Sequence, residues 1–328
     1  MTRFDYSSTA LRPGYARLPP EVRETITQSL GGDPDDVRPA GGGFTPGFAA
    51  TVRRGSTSLF VKAAATSEAF AYPAYLRESV VLANIPAGLP VPRLISTQTV
   101  LDERSGHEWV VLCIEHIDGS MPGYPWSATE LGAVQSSLVD LDAGLTDVPA
   151  HLVSGSFTDG LTDDDAVVGI FGRCARGEVS VPFLPDLPQE RWLELYGLVA
   201  QAPSLLTGSR TVHNDLRPDN IIIEYGSGRA YVCDWNFLSR GPSWSDWVSL
   251  LPYIRADGLD ADAWVESSPL SASTDAATID AWLAVLAAYM TVSGLSPEAV
   301  HSPSLRAHGR FTAGVVIDWL SERRAWWA

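Results

Sequence analysis

The chain has 328 residues, roughly two domains' worth. Of these, 45% are hydrophobic, 19% charged and 9% aromatic, the make-up of a globular protein large enough to bury its cores without disulfides or structural metal. Twenty-three basic against 39 acidic side chains give a formal charge of −16, which argues against nucleic acid or an anionic membrane as the main partner.

In chain order, residues 19–30 read as a short helix stopped by Gly31-Gly32. Residues 37–63 break into three short β-like runs at Gly41-Gly42-Gly43-Phe44-Thr45-Pro46-Gly47 and Arg54-Gly55-Ser56, which predicts a three-stranded meander. A helix is expected over 74–84, where Leu76, Val80, Val81 and Ile85 recur at helical spacing, followed by strands in PVPRLIS and EWVVLCIEHI. After Asp118-Gly119 the pattern turns helical, over 128–146, 188–202, 275–293 and 303–325, and nine of the eleven tryptophans lie beyond residue 190. The clear β signal in this half is a hairpin, 220–225 with 229–235, joined by Gly226-Ser227-Gly228. The division predicts a β-rich N-lobe over 1–117 and a helical C-lobe over 118–328, with a ligand cleft between them.

The acidity is uneven. Residues 1–120 carry 11 basic and 13 acidic side chains, net −2, and residues 121–328 carry 12 and 26, net −14. A neutral or cationic substrate in the second half is therefore expected. Cys113, Cys174 and Cys233 are odd in number and widely spaced, which points to reduced thiols, a cytoplasmic setting and no zinc site. The N-terminal stretch lacks an apolar core, so no secretory signal is expected. The longest apolar stretch, 282–292, is short of the ~20 residues that span a bilayer, and we expect a soluble chain.

One basic residue stands apart. Twenty-two of the 23 are arginine and one, Lys62, is lysine. In a chain that uses arginine by default, a lone lysine indicates a task for a compact ammonium that a guanidinium fork does not perform. The densest polar patch is Thr211-Val-His-Asn-Asp-Leu-Arg-Pro-Asp-Asn220, with Cys233-Asp234-Trp235 beyond the hairpin turn. Asn220 and Asp234 each lie seven residues from Ser227, so a symmetric hairpin brings them together, with Asp215 in the loop leading in. Two carboxylates and a carboxamide at one point form a hard-oxygen site suited to Mg²⁺.

His213-x-Asp215-x-x-x-x-Asn220 resembles the catalytic loop of the protein-kinase superfamily, and Asp234-Trp235 its D-F-G metal site. Leu59-Phe-Val-Lys62 looks like the strand lysine motif, and Glu78 like its helical partner, with Glu68 the competing choice. Within that superfamily the chain is similar to the aminoglycoside phosphotransferase and choline kinase-like small-molecule kinases, on His213-Asn-Asp215, RESVVLANIPAGLPVPRLI, CIEHIDG, Trp244-Ser-Asp246-Trp and the closing WLSERR. The resemblance implies an α+β, two-lobed kinase-like fold that binds ATP or GTP and Mg²⁺ and phosphorylates a hydroxyl of a small molecule, most readily an antibiotic or related natural product. A metabolic kinase for an amino alcohol, sugar or amino acid is the alternative, and an inactive nucleotide-binding scaffold the alternative of another class.

The same resemblance assigns roles. Lys62 and Glu78 would address the phosphates, Gly43, Phe44 and Gly47 the phosphate loop, and Glu115, His116 and Ile117 the adenine-binding hinge. Asn220 and Asp234 would hold Mg²⁺, Asp215 would be the base and Arg217 would neutralise the γ-phosphate, while His213 and Asp246 brace the loop. The segment GGGFTPGF departs from G-x-G-x-x-G, Asn214 replaces the arginine of H-R-D, and no A-P-E follows Asp234. The last departure disfavours a protein substrate. The acidic run Asp163-Asp164-Asp165 is a candidate substrate loop for an amine, although such a run is more often a helix start, and Trp235 and Trp244 are candidates for ligand contact.

Overall fold

The computed structural model describes residues 4–123, 125–146 and 148–326; Trp327, counted among the tryptophans above, lies outside them. The expected meander and the two strands after it form one antiparallel five-stranded sheet in the order β1-β2-β3-β5-β4. Its strands are β1 (Asp36–Pro39), β2 (Phe48–Arg54), β3 (Thr57–Ala65), β4 (Leu94–Leu101) and β5 (Glu108–Glu115). Side-chain alternation gives the sheet two functions. Leu59, Val61 and Ala63 on β3, with Val111 and Cys113 on β5, pack under α1 (Pro20–Leu30) against Val22 and Ile26. Phe60, Lys62 and Ile114 face the opposite side and line the interlobe cleft. Helix α1 opens on Pro20 and ends at Gly31, whose φ of 77° is the left-handed C-cap that glycine adopts without strain.

The helix read at 74–84 is α2 (Ala71–Leu82), and the four long C-lobe patterns are α3 (Ala128–Gly144), α6 (Gln189–Leu205), α9 (Ala276–Leu295) and α10 (Leu305–Arg323). Four helices had no clear sequence pattern: α4 (Asp165–Val168), α5 (Ile170–Ala175), α7 (Ser245–Ala256) and α8 (Ala261–Ser267). Three of these are too short to show two turns of periodicity, and α7 carries Pro252 inside. The hairpin is β8 (Ile221–Glu224) with β9 (Ala230–Val232), joined by β6 (Gly119–Ser120). A second ribbon, β7 (Arg210–Val212) with β10 (Ser239–Gly241), corrects the reading of a single β signal in this half. It clamps the two ends of the segment that holds the polar patch.

Helix α9 corrects the reading of the apolar stretch. Among the described residues it is one helix long and apolar enough to cross a membrane by length and composition. Ile279 to Ala288 are buried all round, and the helix packs against α6 and α10, which accounts for its lack of a polar face.

Residues 4–12 form a strap that the sequence did not announce. Phe4 packs on Phe311 and His308 of α10, and the Tyr6 hydroxyl lies 3.0 Å from His308 Nε2. The chain then crosses to the glycine segment, where Thr9 donates to the carbonyls of Gly41 and Gly43. The lobes are thus joined twice, by the strap and by the 115–119 connection.

Candidate active site

The cleft between the lobes encloses about 350 Å³. Lys62 enters from β3 on the same face as Phe60, and Tyr75, Glu78 and Leu82 enter from α2 at i, i+3 and i+7, one helical stripe. Lys62 Nζ lies 2.6 Å from Glu78 Oε2 and 2.7 Å from Asp234 Oδ1. Glu78, not Glu68, is therefore the lysine's helical partner; Glu68 instead faces the backbone N–H of Ala65. Burial alone would disfavour the Lys62 ammonium, but Asp234 and Glu78 outweigh it and raise its pKa. One cation between two carboxylates leaves a net negative charge. Burial pushes Glu78 up to about 7, while Asp234, despite its burial, is held low by Lys62.

The hairpin register is one residue off the symmetric one. Ile221 faces Val232 and Ile223 faces Ala230, so Asn220 stands opposite Cys233, whose N–H donates to the Asn220 carbonyl. Asp234 lies one step further, with φ of 69°. That left-handed residue turns the chain so that its carboxylate meets Lys62. Asn214 shares this conformation, with φ of 64°, and is held there from α7: the Asp246 carboxylate accepts from the N–H groups of His213 and Asn214 at 2.7 and 2.8 Å. His213 donates from Nε2 to the Cys233 carbonyl, and its Nδ1 accepts from the Asp215 N–H. His213 and Asp246 thus tie the loop by hydrogen bonds to Cys233, just past β9, and to α7. Asn220 Nδ2 donates to the Asp215 backbone carbonyl at 2.8 Å. Burial raises the Asp215 carboxyl above its ordinary range, against the pull of Arg217.

Arg217 departs from its expected role. Its guanidinium bridges Asp215 and Asp219 and lies under the Phe44 ring, 5.1 Å from the centroid. Its charge is shared between two carboxylates, so a free contact to a γ-phosphate is not what this arrangement offers. Phe44 accordingly packs on Arg217 and His308 and is not among the residues that line the cleft. Gly43 donates its N–H to Asp219 Oδ2 at 2.9 Å, and a Cβ on Gly47 would meet the Tyr75 ring at 2.8 Å. The triple glycine has a steric reason. A Cβ on Gly41 would lie 2.5 Å from the Ser7 carbonyl of the strap, and one on Gly42 would lie 2.9 Å from Asp219 Cβ of the catalytic loop.

Glu115, His116 and Ile117 line the cleft, and Glu115 also accepts from Arg93. Of the substrate candidates, Asp163, Asp164, Asp165 and Trp244 do not line the cleft, and Trp235 does. The Trp235 ring is nonetheless buried, donates from its indole to the Val232 carbonyl and stands edge-on to His213. Trp244 packs against Phe157 and Trp282 in the core. Asp164 caps α4 by accepting from Ala166 N–H, Asp163 closes a turn by accepting from Gly160 N–H, and Asp165 lies in the first helical turn. None of the three lines the cleft. Sequence reasoning missed Arg12, Tyr75 and Asp219, all of which do. Tyr75 carried a signal, being one turn before Glu78; Arg12 had none.

Among the described residues no three His, Cys, Asp or Glu side chains gather around one point. Asp234 and Asn220 nevertheless both line the cleft. With its Nδ2 engaged, Asn220 keeps its side-chain oxygen as an acceptor. One carboxylate and one carboxamide oxygen fit Mg²⁺, which takes few protein ligands and completes its shell with phosphate oxygens and water.

A β-sheet lobe and a helical lobe around a Lys–Glu–Asp ion chain and an H-x-D-x-x-x-x-N loop define a protein-kinase-like phosphotransferase. The sequence profile of the phosphotransferase enzyme family (APH) matches residues 36–293, and the chain belongs to that family. No curated protein matches the sequence. Among solved structures, the fold is similar to APH(2")-IIia in its GDP and kanamycin complex, with a TM-score of 0.60 and 14% identity over 93% of this chain and 98% of that one. It is also similar to spectinomycin phosphotransferase APH(9)-Ia with ADP and spectinomycin (0.58, 11%, 92% and 98%). The choline kinase LicA from Streptococcus pneumoniae is a third (0.56, 14%, 92% and 98%).

Proposed function

We propose that the protein transfers the γ-phosphoryl group of ATP or GTP to a hydroxyl of a small molecule, most readily an amine-bearing antibiotic or related natural product. The observation that carries the reading is the Lys62 ammonium held between Glu78 and Asp234 in the cleft that also receives Asn220. Phosphoryl transfer asks the protein mainly for positioning and charge neutralisation. Lys62 supplies a fixed ammonium for the phosphate chain. Mg²⁺, held by Asn220 and Asp234, would neutralise phosphate charge that an acidic cleft alone cannot. Asp215 accepts the hydroxyl proton as the new O–P bond forms and the bond from the γ-phosphorus to the bridging oxygen breaks; its burial-raised pKa favours holding that proton.

Support for an amine-bearing acceptor comes from the net charge of −14 beyond residue 120 and from the family. Three free cysteines accord with a cytoplasmic setting, which we include in the proposal. The test is mass spectrometry for added phosphate: protein, Mg²⁺ and ATP or GTP against aminoglycosides, macrolides, nucleoside antibiotics, amino alcohols and sugars. Asp215→Ala should lower turnover about 10²–10⁴-fold while keeping nucleotide affinity; near-normal turnover would overturn the mechanism. A single strong small metabolite acceptor would point to the metabolic kinase, and nucleotide binding without any transfer to the scaffold.

A further inference from the structure

Arg12 lies outside the family match, which begins at residue 36, yet it lines the interlobe cleft. The strap delivers it there. Thr9, fully buried, fixes the strap to the glycine segment by donating to the Gly43 carbonyl at 2.6 Å, and Leu11 N–H donates to the His301 carbonyl. The terminal guanidinium nitrogens of Arg12 then meet neutral backbone carbonyls, Ala40 at 3.1 Å, Gly42 at 2.7 Å and Gly43 at 2.8 Å. Its Nε is buried with no hydrogen-bond partner.

The other cations of the site are committed. Lys62 is shared by two carboxylates and Arg217 bridges two more, whereas Arg12 forms no ion pair among the described residues. It shares the cleft with Lys62, Asp219 and Asp234, and burial lowers its pKa against the pull of Tyr75, Asp234 and Asp219. A half-buried guanidinium on neutral acceptors, with its Nε–H and one further N–H unused, is poised for an anion, since charge-assisted bonds to phosphate are about twice as strong as neutral ones and use the guanidinium fork.

We propose that Arg12 is a phosphate-binding residue, presented by the N-terminal strap to the phosphate chain of the bound nucleotide. It makes up for a glycine segment that lacks the G-x-G-x-x-G spacing, adding a phosphate contact from outside the matched family region. This inference rests on the nucleotide reading above.

The experiment compares the binding of ATP and GTP with that of adenosine and guanosine, by calorimetry, in wild type, Arg12→Gln and Arg12→Lys, with melting temperature recorded for each. If Arg12 binds phosphate, Arg12→Gln loses tenfold or more in triphosphate affinity, keeps nucleoside affinity within twofold and melts within a few degrees of wild type. Arg12→Lys, which keeps a charge without the fork, falls between the two and carries the test should the glutamine variant not fold. Equal losses for nucleoside and triphosphate, or unchanged triphosphate affinity, would show that Arg12 merely ties the loop and overturn the proposal. Wild type binding neither triphosphate nor nucleoside would instead remove the nucleotide reading on which it stands.

Discussion

At Lys62 two carboxylates share one ammonium, and the sharing is unequal. Burial raises Glu78 to about 7, whereas Asp234 stays low, so Asp234 keeps the charge needed for a cation and Glu78 acts as the positioning partner. Glu78→Gln leaves Lys62 paired with Asp234; we expect turnover to fall roughly 10²-fold, the scale on which one misplaced electrostatic group acts, with the melting temperature changed by only a few degrees. Steady-state kinetics beside a thermal scan checks both. Lys62 and Glu78 were legible because each sits in a short linear pattern on a regular element, and Asp234 because it lies just past a hairpin strand. Asp219, Arg12 and the true partners of Arg217 were not, since their roles arise where the glycine segment, strap and catalytic loop touch. Trp235 was legible only in part: it reaches the cleft wall, but adjacency to Asp234 in sequence says nothing of which way the ring turns, and it turns into the core against His213.

The catalytic loop, as an element, is held by α7. Asp246 accepts from the N–H groups of His213 and Asn214, the second of which has positive φ. Asp246→Ala leaves both unpaired, which should cost roughly 2–5 kcal/mol, read from chemical denaturation, and lower turnover by freeing Asn214 from its left-handed conformation. The glycine segment makes a complementary case. Gly41→Ala places a methyl group against the Ser7 carbonyl and should cost about 1–3 kcal/mol, whereas Gly226→Ala, with open space around it, should stay within ~0.5 kcal/mol of wild type. The expected elements were correct where periodicity ran for two turns or more. The short helices and the three-residue strands β7 and β10 gave too few residues for any period, and the hairpin register hinged on a one-residue choice that a symmetric turn could not decide.

Across the whole molecule, the strap depends on a buried histidine. His308 meets the hydroxyls of Tyr6 and Tyr253. Burial, aided by Arg217 and opposed by Asp219, lowers its pKa to about 3, so the imidazole is neutral in the folded chain. An unfolded histidine takes up its proton near 6.5. The stability from this group is therefore complete above that pH and drains away as pH falls towards 3, by up to about 1.4 kcal/mol per unit. His308→Gln should flatten the decline of stability between pH 6.5 and 4.5, measured by denaturant melts across that range; an unchanged slope would remove His308 as its source. The same strap changes what kind of opening the cleft is. With chain crossing between the lobes at residues 4–12 as well as at 115–119, the lobes cannot swing apart like a jaw on one hinge; they form a closed ring whose second link must unlatch for wide opening. Traffic through such a ring is governed by gating more than by grip. Shortening the chain to begin at Thr9 keeps Arg12 but cuts the link to His308, and it should speed nucleotide release in stopped-flow traces far more than it alters equilibrium affinity.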